Sequence, residues 1–581
     1  MSGVPAARLL AIVLPVVCIG LFARVLYTPD EPREASLVVS MAAQADKSLP
    51  ALGGVPFAEK PPLLYWLGAA STALAGPSPA ALRVPNLLYA LAAALAIAAL
   101  AARAAGPGAG FASGVVAVTA LQSYQVLIWL ATDAPLLAGV ALALFGAHGG
   151  LTADERRGRL RGYLVMHLGL LVAFFAKGPA GWLVPGSAFL VAVAAERRPR
   201  ELLRSELWAG APLLAAAIGG WVLWVASSPG GPESLRVLFF YNLIGRAVAI
   251  GAPGGLDYAS GHQNSFAKYL LELPMYLLPW TALAVAALRR VPRGWRAAGP
   301  AGTAWRLALG AIVPPTLLLS LAATARGVYY APVLLGFALV VGLSSADAAT
   351  ALDRFERACW RVTGIAVALL AVLLAAAAVL LCAAPALRTP SSIALGIVAL
   401  AAGGWATWLA LVPLPSASGA WPRLALAVAL VLSLAVAPAY VELNRVLSLE
   451  ALSSRIQAAA SGPWVVVGPD ETTLAMLELY FPKSPAPTVL RPEAPGFACE
   501  LGRALQAAGP QAHVLVGVRD PMRWDRRGWL AYLGYIAGPA AAPPASPALG
   551  KFALVAQLTR PGGRAFQVLA PEPGASAAAC R

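Results

Sequence analysis

The stretch LLAIVLPVVCIGLFARVLYTPDEPRE, residues 9–34, joins an apolar run of membrane-spanning length to a dense group of charges. One basic residue precedes the run and no A-x-A cleavage site follows it. We therefore interpret it as an uncleaved first span rather than a signal peptide. Four charged side chains then crowd into residues 30–34. Such a cluster is either the solvated end of a helix or a place where chemistry occurs at the membrane surface.

The composition of the whole chain favours a membrane protein with many spans. Of its 581 residues, 59% are hydrophobic and only 12% are charged, and the mean hydropathy is +0.71. A soluble protein of this size needs more charge to cover its surface. The net charge of +16 comes largely from arginines in short clusters between apolar runs. This pattern is typical of cytoplasmic loops and argues against nucleic-acid binding.

Apolar runs that are long enough, or nearly long enough, to cross a membrane recur throughout residues 1–441. They predict an α-helical membrane domain of about thirteen spans. The runs centre on residues 8–27, 82–101, 109–128, 132–149, 162–176, 180–195, 207–227, 273–288, 306–322, 329–346, 362–383, 392–412 and 423–441. The two runs on either side of Lys177 are both short for a span.

The arginine-rich loops predict how the spans are oriented. Four basic loops fall on the inner side if the N-terminus is cytoplasmic, namely 154–162, 196–204, 289–296 and 353–361. Two long loops, 28–81 and 228–272, then lie on the outer side. An odd number of spans also places everything after residue 441 outside the cytoplasm.

Residues 442–581 differ in character and predict a soluble α/β domain on the outer side. Short β-type runs lie at 462–469, 512–520, 551–558 and 564–571, and helix-like stretches lie at 470–480 and 497–508. A Pro/Ala-rich linker occupies residues 538–548. Cys499 and Cys580 share this region, where an oxidising compartment would allow them to pair.

Polar residues in unusual positions gather on the outer side in this topology. They are Asp30, Glu31, Arg33, Glu59, Lys60, Asp133, Lys177, Asn242, Arg246, His262, Arg326 and Tyr329. Ionisable groups at membrane depth or at its edge are costly, so they are candidates for function. The number of separate clusters on one face is the informative observation.

Each of these residues also has a simpler explanation when taken singly. Asp30 and Glu31 suit a solvated helix end, and Lys60 suits a side chain that snorkels from an interfacial helix. Asp133 suits a helix cap, and Tyr329 suits an interfacial aromatic belt. The remaining cations suit ordinary loops. These explanations are not independent, because all of them must hold on one face together.

The residue types on this face predict a particular chemistry. Cations around an apolar surface suit a lipid-linked phosphate, because they bind it by charge-assisted contacts at headgroup level. Neighbouring carboxylates suit the orientation or deprotonation of an acceptor hydroxyl, and cations stabilise a phosphate leaving group. The combination predicts transfer of a group from a polyprenyl phosphate. The sequence has no P-loop, no G-x-G-x-x-G and no G-x-S-x-G in a strand–turn–helix setting, so nucleotide use and serine hydrolysis are not expected.

A series of motifs along the membrane region carries a family resemblance. The motifs are DEPRE (30–34), GVPFAEKPPLLYWL (54–67), TDAPL (132–136), AKGP (176–179), NLIGR (242–246), GHQNSFAKYL (261–270) and ARGVYYAP (325–332). In this order they resemble the GT-C glycosyltransferases of the ArnT and protein O-mannosyltransferase superfamily. They look in particular like the bacterial ArnT-like branch, the undecaprenyl phosphate-aminoarabinose:lipid A transferases. The plan of many spans followed by a soluble domain agrees with that resemblance.

The resemblance implies an inverting transfer from a polyprenyl-phosphate sugar donor in the bacterial inner membrane. It implies Asp30 as the carboxylate that activates or orients the acceptor. Glu31 and Arg33 would support Asp30, and Asp133 would be a second acid of the active site. The acceptor implied is lipid A or another envelope molecule.

The resemblance also implies a set of donor contacts. Lys60 would bind the donor phosphate, assisted by Arg246 and Arg326, and Lys177 is grouped with these cations. Asn242 and Tyr329 are grouped with Arg33 as supporting residues. Glu59 and His262 would together hold a divalent cation, as similar positions do in some relatives, although two ligands are few for a metal site.

The motifs depart from the family pattern in ways that leave the acceptor open. Pro32 stands where relatives often have a small polar residue, and Arg33-Glu34-Ala35 stands in place of Tyr-Ala-Glu. Arg326 replaces a more usual lysine and keeps the charge. An alternative acceptor is the Ser or Thr of a protein, as in the O-mannosyltransferases. A transporter or flippase for a lipid-linked sugar is less favoured, because neither repeated halves nor charges near mid-membrane are visible.

Overall fold

The computed structural model describes residues 3–27, 30–248, 250, 264–324, 326–346, 352–383, 389–412, 417–481, 485–492, 496–519, 552–560 and 564–572. Within these residues the chain forms a large helical body followed by a smaller body built around a sheet. This confirms the predicted fold class. The predicted linker at 538–548 lies outside the described residues.

The helical body contains most of the regular structure. Its helices are α1 (Gly3–Phe22), α2 (Asp30–Ala43), α3 (Leu63–Ala75), α4 (Pro79–Ala105), α5 (Pro107–Thr119), α6 (Leu121–Ile128), α7 (Asp133–Thr152), α8 (Arg156–Lys177), α9 (Leu183–Ala195), α10 (Ser205–Trp208), α11 (Ala211–Ser227), α12 (Gly231–Arg236), α13 (Arg246–Val248), α14 (Lys268–Tyr276), α15 (Thr281–Leu288), α16 (Val291–Arg296), α17 (Gly299–Leu321), α18 (Leu334–Ala346), α19 (Arg354–Ala383), α20 (Pro390–Leu411), α21 (Ala417–Leu430) and α22 (Ala437–Leu447). The next helix, α23 (Leu449–Ala459), packs in the core of the smaller body. A small hairpin, β1 (Ala51–Leu52) with β2 (Val55–Pro56), lies between α2 and α3. Short 3-10 helices occupy Gly178–Trp182, Pro199–Leu203 and Gly327–Val333, and π-helices occupy Val237–Gly245 and Val431–Ala435.

The described residues contain nine helical stretches that are long and apolar enough to cross a membrane. The number rises to eleven if each of two bent pairs forms one span, α5 with α6 at 64° and α14 with α15 at 114°. The predicted pair around Lys177 counts as one stretch, Arg156–Ala195, because only a 3-10 turn separates α8 from α9. The chain is therefore a multi-pass membrane protein, while the figure of about thirteen spans stays a prediction.

Close packing between α7 and α8 brings two predicted site residues together. A Cβ atom at Gly146 would lie 2.2 Å from the backbone nitrogen of Met166, and one at Gly169 would lie 2.3 Å from that of Ala143. Only glycine permits such an approach of two helix backbones. Because the helices form an antiparallel hairpin, the first residue of α7 and the last residue of α8 meet at one end of the pair.

Helix α2 is fixed to the membrane helices by a buried carboxylate. The side chain of Glu31 lies 3.2 Å from Arg24 Nη1 and 2.8 Å from Arg83 Nη2, and all three side chains are at most 1% exposed. The backbone N–H groups of Tyr27 and Leu130 also donate to this carboxylate, at 2.8 and 3.0 Å. Charges this deep are stable only when paired and hydrogen-bonded. The arrangement joins α2 to α1, α4 and the end of α6.

The smaller body is a five-stranded mixed sheet with helices. Its elements are β3 (Trp464–Val467), α24 (Glu471–Tyr480), β4 (Thr488–Leu490), α25 (Phe497–Ala508), β5 (His513–Arg519), β6 (Phe552–Arg560) and β7 (Arg564–Pro571). The strand order is β4-β3-β5-β7-β6, with β3 parallel to β4 and β5 and with β7 antiparallel to β5 and β6. The predicted strands and helices are confirmed, and the short strand β4 is an addition. Cys499 is in a disulfide, and Cys580 lies outside the described residues.

Candidate active site

Asp30 is the first residue of α2, and its carboxylate faces two arginines. Arg326 Nη2 donates to Asp30 Oδ2 at 2.8 Å, and Arg33 Nη2 lies 3.4 Å from Oδ1. Burial by itself raises the pKa of Asp30, but the charges of Arg326, Arg33 and Lys60 outweigh it and hold the pKa below its ordinary value of 3.8. Asp30 is therefore an anion at neutral pH, and 20% of its side chain remains exposed.

Glu34 lies one turn further along α2 and holds a lysine. Lys60 Nζ donates to Glu34 Oε1 at 3.2 Å, Arg33 Nη2 donates to the same oxygen at 2.9 Å, and the Tyr65 hydroxyl donates to Oε2 at 2.9 Å. Burial raises the pKa of Glu34, but Lys60 and Arg33 outweigh it and lower the pKa below its ordinary value. Glu34 thus fixes the position of Lys60, whose loop is also stiffened by Pro61.

The helical period explains why neighbouring acids differ in surroundings. Asp30, Arg33 and Glu34 are at positions i, i+3 and i+4, so they share one face of α2. Glu31 is turned by about 100° from Asp30 and points into the arginine pair described above. Sequence reasoning assigned no role to Glu34, although its spacing from Asp30 was the signal that would have found it.

Asp133 and Lys177 form an ion pair at the junction of α7 and α8. Lys177 Nζ donates to Asp133 Oδ1, and both side chains are largely buried. The same ammonium lies 4.7 Å from the centre of the Tyr329 ring, which is a cation–π distance. Asp133 is the first residue of α7, and the N-cap residue before it, Thr132, makes no side-chain capping hydrogen bond. The predicted residues Asp133, Lys177 and Tyr329 are therefore in contact.

An open cavity with a total empty volume of about 1100 Å³ lies beside these groups. Its polar lining consists of Glu59, Lys60, Lys177, Asn242, Thr324 and Tyr329. Its walls are otherwise mainly apolar, with contributions from α7, α9 and α17. Lys60 from a loop and Lys177 from the end of α8 therefore reach one apolar-walled space, and each is paired with a buried carboxylate.

One wall of the cavity is the π-helix Val237–Gly245, which supplies Phe239 and Asn242 to the lining. The Asn242 amide donates to the Ala58 carbonyl at 3.5 Å, next to Glu59. π-helical turns are uncommon and occur often at functional sites. The segment is thus hydrogen-bonded to the loop that carries Lys60.

Two predicted site residues have no described side chain. Arg246 begins the short helix α13 directly after the π-helix, and its side chain lies outside the description, as does the whole of His262. Among the described residues, no group of three or more His, Cys, Asp and Glu side chains is placed to hold a metal ion. The predicted cation at Glu59 and His262 stays a prediction.

The geometry combines a solvent-accessible anion, Asp30, with cations that line an apolar-walled cavity. Asp30 is ionised, held in place by Arg326, and open to solvent on one side. Lys60 and Lys177 are oriented by carboxylates and face the cavity. Such a site is able to bind an anionic group attached to an apolar chain and to orient a hydroxyl beside it.

Comparisons with known proteins agree with this fold. The structure of ArnT from Cupriavidus metallidurans bound to undecaprenyl phosphate superposes with a TM-score of 0.69, covering 98% of both chains at 17% identity. The apo structure of the same protein gives the same TM-score with 97% coverage. The chain therefore has the fold of the GT-C membrane glycosyltransferases.

Sequence comparisons narrow this class. A family model described as dolichyl-phosphate-mannose-protein mannosyltransferase matches residues 59–224. The undecaprenyl phosphate-alpha-4-amino-4-deoxy-L-arabinose arabinosyl transferases of Edwardsiella ictaluri and Serratia proteamaculans are 29% and 28% identical over 310 and 355 residues. These alignments cover 53% and 60% of this chain and the same shares of the relatives, so the chain spans just over half the length of the curated relatives it matches. The chain is therefore similar to ArnT-type transferases in fold and, over just over half its length, in sequence.

Proposed function

We propose that the protein is an inverting glycosyltransferase that moves a sugar from an undecaprenyl phosphate donor to a lipid A-type or other envelope acceptor. The observation that carries the proposal is the meeting of Lys60 and Lys177 at one apolar-walled cavity, each held by a buried carboxylate. Such a pair of cations suits a phosphate attached to an apolar chain. The names of the curated relatives, which refer to undecaprenyl phosphate and arabinosyl transfer, support the donor class.

Lys60 and Lys177 bind the donor phosphate in this proposal. They offset its charge before the reaction and stabilise the further charge that develops when the bond from the sugar C1 to the phosphate oxygen breaks. Arg246, at the end of the π-helical wall, assists from the second outer loop. The polyprenyl chain lies along the apolar wall of the cavity, which spares it from water.

Asp30 is the catalytic carboxylate in this proposal. It accepts a hydrogen bond from the acceptor hydroxyl and so directs the oxygen toward C1 on the side opposite the phosphate. As the new C1–O bond forms, the electron pair of the old bond leaves with the phosphate, and the hydroxyl proton passes to Asp30 and then to solvent. Because the pKa of Asp30 is low, the proton moves late, when the hydroxyl has become acidic through bond formation.

The remaining residues position these groups. Arg326 and Arg33 hold Asp30, and Asp133 with Tyr329 fixes Lys177. Glu31 supports the site from the opposite face of α2 by fixing the helix to the membrane domain. A divalent cation at Glu59 and His262 remains part of the proposal. Glu59 lines the cavity and supplies one oxygen ligand, and the steps above do not pass through the metal.

The proposal places the reaction on the outer face of the bacterial inner membrane. The basic loops 154–162, 196–204 and 289–296 are inner loops by the positive-inside rule, which assigns the N-terminus to the cytoplasm. The opposite ends of the same helices then carry Asp133 and Lys177. The sheet domain lies on that outer side as well.

A protein acceptor is the second candidate. The family model that matches residues 59–224 is described for protein mannosyl transfer, and the match contains Lys60 and the Asp133–Lys177 pair. Those residues belong to the donor side of the site, which lipid and protein acceptors would share. The two candidates therefore differ in acceptor and in sugar, not in the role of the two lysines.

The test is a transfer assay with the purified protein in detergent. Undecaprenyl phosphates carrying different sugars are incubated with lipid A or with Ser/Thr peptides, and products are identified by mass spectrometry. We expect a glycosylated lipid A-type product whose new linkage has the opposite anomeric configuration to the donor. Glycosylated peptide with no modified lipid would favour the second candidate. Absence of any transfer across the donor set would contradict the proposal.

A further inference from the structure

The sheet domain touches the membrane domain at the helix that carries Asp30. Helix α24 packs against α2, and its side chains Leu474 and Leu479 lie on the apolar cluster that includes Leu37 and Met41. The β1–β2 hairpin closes over the same place, since a Cβ atom at Gly53 would lie 3.3 Å from Leu474. The contact is thus a packed interface between the two bodies rather than a chance touch.

Two polar contacts cross this interface and both involve α2. Arg33 Nη1 donates to Glu471 Oε2 at 2.8 Å, and the Ser36 hydroxyl donates to Glu478 Oε2. Glu471 is the first residue of α24, where Asp470 caps the helix by accepting from the Thr473 N–H at 2.8 Å. A carboxylate at the start of a helix is favoured by the helix dipole, and the Glu471 side chain is half exposed while it meets Arg33.

Arg33 divides its guanidinium between the two bodies. Nη1 goes to Glu471, while Nη2 goes to Glu34 at 2.9 Å and to Asp30 at 3.4 Å. The guanidinium also lies 5.5 Å from the ring centre of Phe57. Because the guanidinium is planar and its donors are fixed, it cannot turn toward one partner without turning away from another. The placement of Glu471 therefore constrains the orientation of Arg33 toward Asp30.

We infer that Glu471 of the sheet domain is a positioning residue for the transfer reaction, acting through Arg33 on the carboxylate of Asp30. The inference rests on the proposed function for its catalytic part. The physical coupling between α24 and α2 does not depend on which sugar or acceptor is used. The sheet domain thus completes the active site from outside the membrane. If α24 separated from α2, Arg33 would contact only the carboxylates on α2.

The charges around this pair set the expected pH effect. Arg33 faces Glu34, Glu59, Glu471 and Asp30, and Asp30 also faces Arg326 and Lys60. Replacing Glu471 by Gln removes one negative charge from this group, so the net charge beside Asp30 becomes more positive. The pKa of Asp30 then falls further, and the acid limb of the rate profile moves to lower pH.

The experiment compares Glu471→Gln with two matched variants in the full-length protein. Glu471→Asp keeps the charge, and Glu500→Gln removes an exposed carboxylate from α25 of the same domain. Two measurements are made, hydrogen exchange of the α2 amides and the pH dependence of kcat/KM for transfer. The exchange measurement needs no substrate and reports the coupling by itself.

We expect Glu471→Gln to speed amide exchange across α2 and to lower kcat by about tenfold, less than the roughly 100-fold that a 1 Å misplacement can cause. Its acid limb should move down by about 0.5 pH unit, a fraction of the shift caused by a directly paired charge. Glu471→Asp should restore most of the rate, and Glu500→Gln should match the wild type.

Two results would overturn the inference. Exchange in α2 that is equal in Glu471→Gln and Glu500→Gln would show that Glu471 does not hold α2. A lowered rate with an unmoved acid limb would show a general loss of folding rather than an effect on Asp30. If the wild-type protein transfers no sugar at all, the proposed function fails, while the exchange measurement still decides whether Glu471 holds α2.

Discussion

The two faces of helix α2 carry adjacent carboxylates in opposite situations. Glu31 is completely buried and meets two arginines and two backbone N–H groups. Asp30 is one residue away, but 20% of its side chain is exposed while it meets Arg326 and Arg33. Burial raises the pKa of both groups and paired arginines lower both below their ordinary values, so the electrostatic balance is similar. The two carboxylates differ in solvent access, which Asp30 has and Glu31 lacks.

This difference indicates a division of labour within the DEPRE motif. A carboxylate whose oxygens are all engaged in a dry site contributes to structure and has no place for a substrate. A carboxylate that is fixed by one arginine and open on another side is able to accept a hydrogen bond from a substrate hydroxyl. The two faces should therefore respond to mutation in different measurements.

The largest expected effect is on catalysis by the open face. Asp30→Asn should lower the transfer rate by about 10³-fold, because an amide neither takes the hydroxyl proton nor orients it with a full charge. The midpoint of thermal unfolding should change little, since the Asp30–Arg326 pair is partly exposed. Rates come from the mass-spectrometric assay, with Glu233→Gln, at an exposed position of α12, as the control. Wild-type turnover in Asp30→Asn would rule out the catalytic assignment.

Mutation of Glu31 on the buried face should instead lower the stability of the protein. Glu31→Gln leaves Arg24 and Arg83 without their shared anion, and a broken buried pair of this kind costs about 3–5 kcal/mol. We expect a lower yield of folded protein and a clearly lower unfolding midpoint in detergent. Any transfer that remains should scale with the folded fraction. A variant that unfolds like the wild type but has lost transfer would show that Glu31 acts in catalysis itself and does not only fix α2.

The broad difference between these faces could be predicted from the sequence. Apolar runs and basic loops predicted a multi-pass helical domain with an acid-bearing outer loop, because span length and charge bias act locally along the chain. The i, i+3, i+4 spacing of Asp30, Arg33 and Glu34 was equally local. With α2 predicted to begin at Asp30, this spacing would have placed Glu31 on a different face from Asp30, Arg33 and Glu34.

The partners of these residues could not be predicted from the sequence, because they come from distant parts of the chain. Arg326 is 296 positions from Asp30, and Glu471 is 438 positions from Arg33. A list of outer polar residues cannot tell which cation meets which acid, because that depends on helix packing such as the α7–α8 glycine contacts. The same holds for the docking of α24 on α2, which no local pattern in the sheet domain indicates.

A smaller effect should appear on the cation that Glu34 holds. Lys60→Ala removes one charge-assisted contact to the donor phosphate and should weaken binding of undecaprenyl phosphate by about 10–100-fold. The KM for the acceptor should stay near the wild-type value, because Lys60 lines the cavity and pairs with Glu34 rather than with Asp30. Donor-phosphate affinity and acceptor KM are measured on the same preparation. An equal loss in both would argue against a phosphate-binding role.

The smallest expected effect concerns Arg326, the arginine that pairs with Asp30 on the open face. Arg326 lowers the pKa of Asp30, so Arg326→Gln should raise it. A carboxylate that must be ionised loses activity as the pH falls through its pKa. The acid limb of kcat/KM should therefore move to higher pH in this variant, by about 1 unit for the loss of one directly paired charge. Replacing Arg24 on the buried face should lower stability without moving that limb, because Glu31 meets no substrate. A shift of the limb in the Arg24 variant and none in Arg326→Gln would reverse the roles of the two faces.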